Sequence, residues 1–178
     1  MKRDVVLSIQ GRQRYGEQEP ETIELVTEGT MEFRDGGWDI TYEESELTGL
    51  AGVVTTFRVE PGKVTLNREG ALNSRMLFQE GVSHESLYQM EFGTLMITVK
   101  ATNVFYDIVP DGGTIDLTYQ IVIENTEAGM IIIIWTSGRN KMLPTVNGAY
   151  RYRYAPFFVP TSYVTGYRPL GSPFGGAV

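Results

Sequence analysis

Thr22-Ile23-Glu24-Leu25-Val26-Thr27-Glu28-Gly29-Thr30-Met31-Glu32-Phe33-Arg34 is the stretch that decides the fold. Ile23, Leu25, Thr27, Gly29, Met31 and Phe33 fall on one side of it. Glu24, Val26, Glu28, Thr30, Glu32 and Arg34 fall on the other. A period of two with charges on one face is the pattern of a half-buried strand. Asp35-Gly36-Gly37 follows, and these residues accept the positive φ of a hairpin turn. Trp38 to Glu46 then returns as a second strand, with Trp38, Ile40 and Tyr42 on its apolar face.

Working outward, the same pattern repeats. Val53 to Glu60 sets Val53, Thr55, Phe57 and Val59 on one side, and Pro61-Gly62 supplies a turn. Lys63 to Arg68, Arg75 to Gln79 and Ser83 to Gln89 read as shorter strands. Thr94 to Val109 is longer than a typical strand, so a bulge is expected near Ala101-Thr102-Asn103. Thr114 to Glu124 alternates with Ile115, Leu117, Tyr119, Ile121 and Ile123 on one face, and Met130 to Thr136 ends the series. No segment shows a helical period with caps. Roughly nine or ten strands joined by short turns spell an all-β antiparallel meander. Its two edges must be hidden. Closure into a barrel does so fully, and purely sequential hairpins favour it over a two-sheet sandwich.

The 178 residues carry a net charge of −7 and no Cys, with a single His. A missing thiol excludes disulfides, thiolate metal sites and cysteine nucleophiles, and one imidazole excludes a His–His metal pair. The acidic balance argues against nucleic acid as a partner. We expect neither a metal nor a cofactor. The apolar run Met130 to Trp135 is too short for a membrane helix, and the N-terminal apolar stretch is too short for a signal-peptide core. The expectation is a cytoplasmic protein without a membrane partner.

Composition shifts at Gly138. Residues 1–138 hold ten basic and 22 acidic residues, a net −12, whereas 139–178 hold five basic and no acidic ones, a net +5. The second segment is interrupted by Pro144, Pro156, Pro160, Pro169 and Pro173. We read 1–138 as the barrel and 139–178 as an irregular, basic, aromatic C-terminal arm with a disordered end. Tyr150-Arg151-Tyr152-Arg153-Tyr154 interleaves cations with rings, as in single-strand nucleic-acid binders. An edge-pairing strand facing the acidic body is the preferred reading. Met130 to Trp135 is apolar on both faces, so the arm or a second copy of the chain is expected to cover it. A homo-oligomer through either element is therefore expected.

Thr27-Glu28-Gly29, Tyr42-Glu43-Glu44-Ser45 with Thr48-Gly49-Leu50, Thr55-Thr56-Phe57, Leu66-Asn67-Arg68-Glu69-Gly70, Phe92-Gly93 and Leu117-Thr118-Tyr119 together resemble the YwiB family. These are small uncharacterised bacterial proteins, a domain of unknown function. The resemblance runs from Val5 to Trp135 and implies a calycin-like (lipocalin-like) β-barrel. It implies no catalytic residue. Where the family usually has a Thr-Pro-Tyr-Gly-like turn, this chain has Met90-Glu91-Phe92-Gly93, and it continues for some forty residues past the shared region.

Strand parity places two charges on inward rows. Glu44 shares the face of Trp38, Ile40 and Tyr42, and Arg68 that of Val64 and Leu66. Inward charges are normally paired, so Glu44 and Arg68 are expected to meet inside the barrel. One reading makes them a salt bridge that sets register. The other makes Arg68 an anchor for the acidic group of a small, partly apolar ligand, since a guanidinium fork suits a carboxylate. Its site would be lined by Trp38, Tyr42, Phe57 and Tyr119 as well. His84, in turn-like sequence, reads as a surface residue. Glu43, Glu44 and Glu46 lack calcium-loop spacing, and Gly49-Leu50-Ala51-Gly52 lacks the Lys of a phosphate loop. No assembled catalytic motif is visible. The reading is a non-enzymatic barrel that binds a small ligand. The alternative is a filled structural or interaction module whose arm self-associates.

Overall fold

The computed structural model describes residues 2–14, 19, 21–91, 93–123 and 126–138. Among them ten strands run in chain order: β1 (Lys2–Arg14), β2 (Glu21–Arg34), β3 (Gly37–Glu43), β4 (Val53–Glu60), β5 (Lys63–Gly70), β6 (Leu72–Phe78), β7 (Ser83–Met90), β8 (Gly93–Val109), β9 (Gly112–Ile123) and β10 (Thr126–Gly138). Each pairs antiparallel with its sequence neighbour, and β1 pairs with β10 from Val6↔Gly138 to Arg14↔Met130. The meander thus closes into a barrel, its first and last strands joined.

The turns are made by the residues that the sequence marks for them. Arg34 pairs with Gly37, leaving Asp35 (φ 47°) and Gly36 (φ 75°) as a two-residue hairpin loop. Asp39, on the outer face of β3, accepts from Arg34 Nε and from Arg58 Nη1, the latter at 3.1 Å, and so clamps this hairpin to β4. The bulge in β8 falls where expected, between Ala101 and Asn103.

Four expectations need correction. β1 was not foreseen as a strand, yet it supplies the closure. The second strand ends at Glu43, after which Glu46–Thr48 form one 3-10 turn closed by Gly49 in the left-handed region (φ 72°). Phe33 shares the parity of the inner row but is 51% exposed, because the strand runs past the rim; its ring rests on Trp38 at 5.1 Å. His84 lies in β7, half-buried in the row of Ser86 and Tyr88, with its Nε2 shielded. The arm at 139–178 and Phe92 lie outside the described residues, and so does what covers Met130 to Trp135.

The inner rows form one apolar cluster, including Leu7, Ile9, Met31, Ile40, Phe57, Leu66, Met76, Phe78, Ile97, Ile115, Leu117 and Tyr119. Phe78 on β6 and Tyr119 on β9 touch with ring centroids 4.6 Å apart. The β6–β7 turn reaches β8 at this height, Gly81 N–H donating to the Ala101 carbonyl at 3.1 Å, and Ala101 pairs with Tyr119, so the two rings meet along one side of the lumen. The outer wall carries charge, with Glu24, Glu28, Glu69, Arg75 and Lys100 exposed.

Gly29 is held to its identity by close approach. A Cβ there would lie 2.6 Å from the Thr41 carbonyl oxygen and 2.8 Å from Leu7 Cδ1. Backbone cannot yield as a side chain can. Gly29→Ala is expected to destabilise the barrel by about 1–3 kcal/mol in urea denaturation. An unchanged midpoint would contradict this packing.

Candidate functional site

The register of six consecutive strands lines up one row of the inner wall. Gly29 opposes Tyr42, Tyr42 opposes Thr55, Thr55 opposes Arg68, Arg68 opposes Ser74, and Ser74 opposes Tyr88. From Tyr42 onward every member is polar, and all are buried. The adjacent row, Met31, Ile40, Phe57, Leu66 and Met76, is wholly apolar. A belt of hydrogen-bonding groups therefore sits on an apolar plug.

Glu44 follows β3 and is tied to β4 by its N–H, which donates to the Val53 carbonyl at 2.9 Å. Its Oε1 accepts from the Tyr42 hydroxyl at 3.0 Å and from the Thr55 hydroxyl at 2.7 Å. Arg68 Nε stands 3.9 Å from the same oxygen, and the two side chains are 3% (Arg68) and 1% (Glu44) exposed. The pair is electrostatic at that separation, and the hydroxyls fix the carboxylate. Burial, and then the Glu44 charge, push the Tyr42 phenol well above its usual range.

The wall opens beside this belt. β6 and β7 pair only at Leu72↔Met90, Asn73↔Gln89 and Ser74↔Tyr88, although both strands continue beyond Ser74 and Tyr88. An open cleft of about 580 Å³ lies along β5, β6 and β7. Its lining comes from both faces of the wall. Arg68, Ser74 and Ser86 are inward residues, and Asn67, Glu69, Arg75, Glu85 and Gln89 are among the outward ones. Ser74 is 7% exposed, and its Oγ has no hydrogen-bond partner within the protein.

The structure brings Glu44, Arg68 and Tyr42 together inside the barrel, as parity requires. Only Arg68 of the expected set also lines the cleft. Phe57 and Tyr119 belong to the packed plug, and Trp38 is half-buried against it near the other end of β3. Thr55, Ser74 and Ser86 were missed as site residues. Their signal was present: each is a small hydroxyl in an otherwise large inward row. Among the described residues no group of three or more His, Asp or Glu is placed to hold a metal.

The shifted phenol has a consequence for stability. Its folded value is raised, so the unfolded chain loses the Tyr42 proton first as pH rises. The stability that Tyr42 contributes is intact below about pH 10, the unfolded phenol value, and declines above it. Tyr42→Phe is expected to flatten the fall in stability above that pH in urea melts. An equally steep fall in the variant would show that Tyr42 ionises within the fold.

Residues 7–133 match the family model described as a domain of unknown function, DUF1934. A curated relative, the uncharacterised β-barrel protein YwiB of Bacillus subtilis (strain 168), is 28% identical over 101 residues, which are 57% of this chain and 70% of that protein. The crystal structure of the ywiB protein from Bacillus subtilis aligns with a TM-score of 0.66 at 23% identity, covering 78% of this chain and 94% of that one. That likeness is one of fold. With the match spanning most of β1 to β10, the chain belongs to the DUF1934 family of unknown function.

Proposed function

We propose that this is a non-catalytic, cytoplasmic barrel that binds a small ligand carrying an anionic group, received through the side wall at Arg68. One observation carries the reading. Arg68 is buried in the polar belt, yet it lines a cleft of about 580 Å³ beside a shielded Ser74 hydroxyl with no partner in the protein. Buried polar atoms in native proteins are normally hydrogen-bonded, so an orphan at the inner end of a cleft favours a visiting acceptor or donor. A guanidinium supplies the complementary charge.

Two further features support parts of the proposal. Glu44 is engaged by Tyr42 and Thr55, which suits a structural carboxylate better than a proton-transferring one. An apolar lumen inside a charged outer wall is the reverse of the membrane-barrel pattern, which supports an aqueous setting. The second reading, a filled structural barrel whose arm associates with itself or a partner, draws on the single apolar cluster formed by the inner rows.

Native mass spectrometry of the full chain separates the two. The ligand reading predicts a retained small mass on the wild type that is lost in an Arg68→Met, Glu44→Gln double variant. Removing both charges keeps an acceptor for Tyr42 and Thr55 and avoids the roughly 3–5 kcal/mol cost of stranding one buried ion. A folded double variant with the same bound mass would overturn the assignment to Arg68. A bare wild-type monomer or oligomer would favour the filled barrel.

A further inference from the structure

The charges of the cleft are ordered by depth. At its inner end stand Arg68 and the hydroxyl of Ser74. On the outer lip stand Glu69 on β5, Arg75 on β6 and Glu85 on β7, all exposed. The inner end is thus +1 and the lip −1, with a carboxylate on each flanking strand. We infer that the ligand is a small zwitterion, an amino acid or short peptide, that enters carboxylate first. This rests on the reading of the cleft as a ligand site.

The chemistry narrows the choice at each end. Glu44, which does not line the cleft, already offsets part of the Arg68 charge. A single negative charge therefore suits the inner end better than the two of a phosphate monoester. One carboxylate oxygen meets the guanidinium, and the other accepts from Ser74 Oγ. The trailing ammonium then lies between Glu69 and Glu85. A fatty acid gains little here, because Leu87 is the only large apolar residue of the lining. Asn67 places an amide at the lip, which suits a peptide bond in the ligand. The volume accommodates a dipeptide, being within the range of small-ligand pockets.

The test titrates the isotope-labelled full chain by NMR. The probes are the free L-amino acids and a mixture of dipeptides, their N-acetyl and C-terminal amide forms, and octanoate as a plain carboxylate. At least one free amino acid or dipeptide is expected to shift the resonances of Ser74 and Ser86. Acetylating or amidating that probe should weaken binding by at least about tenfold, the loss of one charge-assisted contact. A Glu69→Gln, Glu85→Gln variant, changed only on the exposed lip, should weaken the zwitterion and leave any octanoate binding unchanged. N-acetyl forms or octanoate binding as tightly as the zwitterion would overturn the inference while leaving the site at Arg68 standing. No shift at Ser74 or Ser86 with any probe, at millimolar concentration, would overturn both.

Discussion

A guanidinium and a carboxylate kept from water are costly unless they are brought together, and that constraint organises this barrel. Arg68 and Glu44 stand 3.9 Å apart, too far for a hydrogen bond, so their attraction alone does not hold them. Tyr42 and Thr55 fix the carboxylate by donating to its Oε1. Those hydroxyls are at the right height only because Tyr42, Thr55 and Arg68 face one another in register across β3, β4 and β5. A one-residue slip would turn all three to solvent and bring the outer charges in. The geometry of the pair thus depends on that register.

The rest of the interior is apolar and packed. Phe57, Phe78, Met31, Met76 and Tyr119 pack into the apolar core below the belt, with the rings of Phe78 and Tyr119 in contact. The β3–β4 connection sends Leu50 into the core at the other end of the belt. The separation of β6 from β7 then brings a cleft up to the buried belt at Arg68 and Ser74. The proposed site therefore lies in the wall of the barrel and not at its centre, with β5, β6 and β7 as its lining elements.

Much of this was legible in the sequence because strand parity is a local property. Alternation in 22–34 and 114–124 sets the inner rows, Asp35-Gly36 sets a hairpin, and Arg68 and Glu44 face inward by counting alone. β1 is harder to read, because Lys2, Arg3 and Asp4 before a short apolar stretch resemble the start of an export signal, although Val5, Leu7 and Ile9 alternate. Phe33 and His84 show the limit of parity. It tells which face a residue takes, and burial depends on how far neighbouring strands extend, which is set by partners distant in sequence. The β6–β7 opening is of the same kind. Nothing in Arg75 to Phe78 or Ser83 to Leu87 marks them as unpaired with each other, because that follows from the path of the whole wall.

The central claim is that a cleft reaches the polar belt at Arg68 and Ser74 while the lumen beside it stays filled. A high-resolution crystal structure of the protein, purified without added ligand, measures both at once. The account predicts a bound molecule or ordered waters within hydrogen-bond distance of Ser74 Oγ, with Phe78 still against Tyr119. A sealed β6–β7 ladder with a ligand seated between Phe57 and Tyr119 would contradict it.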